Sequence, residues 1–113
     1  QPFLNLGMLL VQKGDNDGAL VQLKRAAALS PDNPTVHEQL GSAYESLNNW
    51  SEAKAELERA IALAPKVSGL HFKLARIDKK LGLQDEARHE FQICAELNST
   101  RSSRQTPNPA RPH

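Results

Sequence analysis

The sequence predicts an all-α fold, a solenoid of three stacked helix pairs, and three observations carry that prediction. The first is a fixed period seen in five columns at once: Gly7 returns as Gly41 and Ala75, Ala19 as Ala53 and Ala87, Leu23 as Leu57 and Phe91, Ala26 as Ala60 and Cys94, and Pro31 as Pro65. A unit about 34 residues long cannot close a core alone, so it buries its apolar face against the next copy. The second is composition. Only five of the 113 residues are aromatic, so packing rests on Leu, Ala, Ile and Val, and no strand-like alternation competes with the helical spacing. The third is punctuation. Gly14, Asn48 and Gly82 share one column, and these residue types tolerate the left-handed backbone found just past a helix end.

Each element follows in order. The first helix is predicted over residues 2–13, with Phe3, Leu6, Leu9 and Leu10 marking one face, and Gly14 ends it. Asp17, with Ser51 and Asp85 in the same column, offers an oxygen-bearing N-cap to the second helix of each pair, predicted over residues 18–29, 52–63 and 86–97. Pro in the connectors 30–34 and 64–68, joined by Asp32 and Asn33 in the first, turns the chain into the next pair. The repeats are thus bounded at about 1–33, 34–67 and 68–97. Gly7 and Gly41, with Ala19, Ala53 and Ala87, let paired helices approach closely, while Leu23, Leu57 and Phe91 fill the space between pairs. Cys94 reads as a small buried apolar residue and Trp50 as a packing residue in a turn. Residues 98–113 are Ser, Thr, Arg, Pro and Asn with almost nothing apolar, and are predicted to be a flexible polar tail. No amphipathic helix follows to cover the faces near Phe91, Ile93 and Leu97, and the N-terminal face is equally uncapped. Such ends belong to a chain with further repeats or to one that associates end to end.

Leu6-Gly7 and Leu40-Gly41, the aromatic Tyr44, the small columns at Ala19, Ala53 and Ala87 and at Ala26 and Ala60, and the closing Pro31 and Pro65 resemble the tetratricopeptide repeat signature over residues 1–97. The resemblance implies a right-handed α-α superhelix whose first helices line a concave groove. The third repeat departs most: Asp78 replaces Tyr44, Ala75 replaces the Gly, and Ser99 replaces the Pro, which bears on its closing turn.

Function classes narrow quickly. Fourteen basic against thirteen acidic residues give a net charge of +1, which argues against a dedicated nucleic-acid binder. The longest apolar stretch, residues 6–11, is far short of the ~20 residues a membrane helix needs, so the partner is not expected to be a bilayer. A lone Cys94 rules out an internal disulfide framework and leaves the compartment open. There is no phosphate loop, nucleophile elbow or His-Glu-x-x-His pair, so neither an enzyme nor a cofactor or metal is expected. His37 and His71 stand one repeat apart in a column that family members fill with a large aromatic, and are read as packing residues; His89 reads as a solvated one.

The resemblance places Gln1, Leu4, Asn5, Met8, Val11 and Gln12 of the first repeat on the groove. From the second it places Thr35, Glu38, Gln39, Ser42, Glu45 and Ser46, and from the third Gly69, Phe72, Lys73, Arg76, Lys79 and Lys80. That surface grades from apolar through acidic and polar to basic. Residues 68–113 carry eight basic and five acidic side chains, residues 35–67 three and five. The gradient suits an extended peptide, or partner segment, that is acidic at the basic end. The bland alternative is a solvated face on which Glu45 pairs with Arg76 or Lys79, in a structural spacer or self-assembly segment with no groove ligand. A family subclass that grips a chaperone's C-terminal carboxylate is disfavoured, because its basic and Asn positions fall here on Leu4, Met8, Gln39, Gly69 and Lys73, and Lys73 alone keeps the charge.

Overall fold

A computed structural model describes residues 1–105, and all six elements within them are helices: α1 Pro2–Gln12, α2 Asn16–Leu29, α3 Pro34–Ser46, α4 Trp50–Leu63, α5 Ser68–Lys80 and α6 Gln84–Gln105. They pair as α1/α2, α3/α4 and α5/α6, and each pair packs on the next through α2/α3 and α4/α5. The result is a right-handed superhelix. Its radius of gyration, 16.1 Å, exceeds the about 13 Å of a compact domain of this length.

Pro2 and Pro34 occupy first helical turns, where a missing N–H costs nothing. Gly14, Asn48 and Gly82 have φ of 84°, 61° and 80°, so the column read from the sequence is a column of left-handed helix stops. The start column shifts. Asp15, not Asp17, caps α2, its Oδ1 accepting from the Gly18 N–H at 3.0 Å, and Asn49 rather than Ser51 precedes α4. Asp17, Ser51 and Asp85 lie inside the first turns, where the acidic ones suit the positive end of the helix dipole. Trp50 is accordingly the first residue of α4, packed beside the second core cluster, and not a turn residue.

The core divides at the seams between pairs. Ala19, Leu23 and Ala26 of α2 meet Val36, Leu40 and Ala43 of α3; Ala53, Leu57 and Ala60 of α4 meet Leu70, Leu74 and Ile77 of α5. Each fully buried Leu contributes about 1.5–3 kcal/mol relative to exposure. The small columns are tight: a Cβ on Gly7 would fall 2.5 Å from Leu23 Cδ2, and one on Gly41 3.0 Å from Leu57 Cγ. Asp78, where Tyr44 stood one repeat earlier, is buried in the α4/α5 seam, and the Lys54 ammonium donates to its Oδ1 at 2.6 Å. Burial pulls Lys54 down, but its bond to Asp78 and the negative charges of Asp78, Glu58 and Glu86 outweigh that and hold its titration above the ordinary lysine value.

The third pair departs from expectation at its end. The second helix of that pair, expected to stop at Leu97 with a flexible tail from residue 98, runs on to Gln105. No Gly or Pro interrupts residues 98–105, and Ser, Thr, Arg and Gln tolerate helix where nothing stops it. The remainder of the predicted tail, 106–113, lies outside the described residues.

Candidate peptide-binding groove

α1, α3 and α5 lie side by side, because each succeeds the last by one repeat and the second helices pack behind them. Their facing side chains form two unlike halves. Between α1 and α3 no ion pair forms among the described residues: Leu4 and Val11 are half-buried and lean on the first core cluster, Met8 is half-buried, Asn5 and Gln12 are exposed, and Gln39 of α3 is half-buried. Between α3 and α5 the charges are joined. Lys73 Nζ donates to Glu38 Oε2 at 2.8 Å, and Arg76 Nη2 to both Glu45 oxygens at 2.7 Å.

Two of the four cations expected to meet an acidic ligand are therefore already occupied, and Glu45 has taken Arg76. Lys79 and Lys80 remain exposed, with Lys80 Nζ over the Trp50 ring at 5.6 Å. Phe72 belongs as much to the end of the stack as to the groove, since its ring meets Phe91 of α6 edge-on at 5.7 Å and lies under the Arg76 guanidinium. Gln1 is drawn away from the groove row: its Oε1 caps α1 by accepting from the Leu4 N–H, and its Nε2 donates to the Ala26 carbonyl at 3.1 Å.

The two histidines are buried, and they do more than pack. His37 Nδ1 meets Glu56 at 2.8 Å and Nε2 the Pro31 carbonyl at 2.7 Å; His71 repeats this with Glu90 at 2.7 Å and the Pro65 carbonyl at 2.8 Å. Each ring thus ties the first helix of a pair to its second helix and to the incoming connector. In each ring the nitrogen that meets the connector carbonyl is the donor, since a carbonyl oxygen only accepts. Sequence reading missed the carboxylates although the signal was present: Glu56 and Glu90 themselves share one column of the repeat. His89 is exposed on α6.

The family models now match what the geometry displays. A model described as TPR repeat covers residues 7–48, and a second, described as tetratricopeptide repeat, covers 34–77. The chain is a tetratricopeptide repeat protein. Its matched region runs from the first pair into the third, and the fold it shares is that of a protein–protein interaction module. Among solved structures, this tetratricopeptide stack is similar to MamA of strain MSR-1, with 30% identity over 89% of this chain and 57% of that one and a TM-score of 0.83. MamA of Desulfovibrio magneticus RS-1 is similar at 22% identity over 86% of this chain and 55% of that one, with a TM-score of 0.83. SycD, a type III secretion translocator chaperone of Yersinia enterocolitica, shares the fold at 17% identity over 85% of this chain and 66% of that one, with a TM-score of 0.82. The chain spans under three fifths of the length of the two MamA chains. No curated protein sequence matches it.

Proposed function

We propose that the row formed by α1, α3 and α5 holds an extended segment of a protein partner, apolar where it meets Leu4, Met8 and Val11 and acidic where it meets Lys79 and Lys80. The observation that carries this reading is the division of the row. Glu38 and Glu45 neutralise Lys73 and Arg76 between α3 and α5, which leaves an apolar and amide-lined half at one end and, at the other, two exposed lysines with no carboxylate partner among the described residues, Lys80 resting over the Trp50 ring. A ligand that matches both ends gains apolar burial at α1 and screened attraction at α5, and its direction along the groove is fixed by the difference. MamA and SycD, as stacks of the same fold, lend support to partner holding as the general role.

The test is a peptide array read at low and high salt with the chain and two variants. Met8→Glu should abolish capture, and Lys79→Glu with Lys80→Glu should remove the preference for acidic residues. Binding by the unaltered chain should weaken as salt rises, because exposed charges are screened beyond about 8 Å at physiological ionic strength. Binding that neither variant alters would place the ligand elsewhere. A second reading has one observation of its own: the Glu38–Lys73 and Glu45–Arg76 pairs also serve as rivets between α3 and α5, as in a spacer with no groove ligand. Under that reading the array stays empty.

A further inference from the structure

Resting on the groove reading above, we propose that the row also fixes a spacing in its ligand: the acidic residues stand about five or six positions from the apolar anchor, whether they precede it or follow it. The spacing comes from the register of the repeat. Val11, Glu45 and Lys79 share one column, and Gln12, Ser46 and Lys80 the next, so the two exposed lysines lie straight across the row from the end of α1. Met8, at the middle of the apolar trio, stands one turn back, about 5 Å along the helix axis. Two helix-to-helix steps of about 8–10 Å lead from α1 over α3 to α5. The diagonal is then about 17–21 Å, which an extended chain covers in about five or six residues at roughly 3.3–3.6 Å each.

Nothing between the two ends rewards an acid. α1 carries no charged side chain over its 11 residues. At the centre, half-buried Glu38 holds Lys73 at 2.8 Å and half-buried Glu45 holds Arg76 at 2.7 Å, while the Lys73 ammonium also reaches Ser42 Oγ at 3.5 Å. A ligand carboxylate that stops there meets two carboxylates whose cations are already taken, so like charge works against it. Of the three first helices only α5 ends on basic residues, Lys79 and Lys80. The central ion pairs therefore discriminate by position: a segment whose acid comes too early is rejected, and one whose acid comes late carries only slack. Further repeats at either end would lengthen the row, but they would leave the distance from Met8 to Lys79 as it is.

The test is a series of end-capped peptides, each with one Leu, a neutral spacer of Ser and Gln and two adjacent Glu, made in both chain orders at separations from about two to twelve positions. Fluorescence anisotropy with the full chain should give an asymmetric profile. Binding should peak near five or six positions and fall to the level of an acid-free peptide near two, where the segment cannot span. Near twelve it should weaken only about threefold, because the effective concentration of a slack tether falls as roughly the −3/2 power of its length. Lys79→Ala with Lys80→Ala should flatten the profile to the acid-free level, and Glu45→Gln, which leaves Arg76 without its acid, should lift the short-spaced peptides above it; circular dichroism checks that each variant folds. A flat profile, a peak at two or three positions, a peak that survives loss of both lysines, or short-spaced peptides unmoved by Glu45→Gln overturns the spacing, and the groove reading stands so long as Met8→Glu abolishes capture. Capture that Met8→Glu leaves untouched, or no capture of any peptide, overturns the groove reading and the spacing with it.

Discussion

Ala53 shows how little room a single side chain has in this stack. It has no exposed surface, it sits in the small column where α4 passes α3, and the adjacent Leu57 already lies 3.0 Å from where a Cβ on Gly41 would be. Ala53→Leu should overpack that contact and cost about 1–3 kcal/mol. That is a large part of a margin of about 5–15 kcal/mol, and thermal unfolding should register it as a clear fall in midpoint. An unchanged midpoint would put the column outside the packed seam. Lys54 makes the complementary case for a polar contact. Its titration is raised in the folded state, so the contribution of the Lys54–Asp78 pair is complete below the ordinary lysine value and is lost as pH rises through the folded one. Stability should therefore fall in the alkaline range, and Lys54→Met should flatten that fall in a pH series of melts.

At the scale of the helix, α6 is where sequence and structure part most. Residues 98–105 continue the helix without an apolar stripe, so they gain little from packing. Truncation after Leu97 should lower the helical circular dichroism signal by about one third of that helix while leaving the melting midpoint nearly unchanged. A clear loss of midpoint would mean that the removed segment packs on the stack. The contrast explains what could be read in advance. The pair boundaries, the left-handed stops at Gly14, Asn48 and Gly82 and the small columns were legible because each rests on a residue type whose physical reason is local and returns with every repeat. The cap at Asp15 was missed because Asp15 and Asp17 are chemically equivalent candidates two positions apart, and only the bond to Gly18 chooses between them. Of the groove cations, Arg76 takes Glu45 as the alternative reading of the sequence had it, whereas the partner of Lys73 was not foreseen: it finds Glu38 35 residues away, a pairing that depends on which helix faces which.

For the molecule as a whole, cohesion runs mainly between neighbours in sequence, from α1/α2 through α5/α6. Stability in such a stack is close to a sum of pair and seam contributions, and the ends hold one seam each where the centre holds two. Native-state hydrogen exchange should consequently be slowest in α3 and α4 and fastest in α1 and in α6 beyond Leu97. Uniform protection across all six helices would mean that the chain opens as a single unit.

The same nearest-neighbour design gives the chain a mechanical character. Pulled by its two termini, a stack 56 Å long has no strand ladder across its ends to shear all at once, so load falls on the outermost seam and peels pairs away in succession. Each pair released would lengthen the tether by about 120 Å, the extended reach of one repeat at roughly 3.6 Å per residue. A protein held between two attachment points by such a stack would be held by a spring, soft and resettable, whose stiffness is tuned at the seams by Leu40, Leu74 and the Lys54–Asp78 bond.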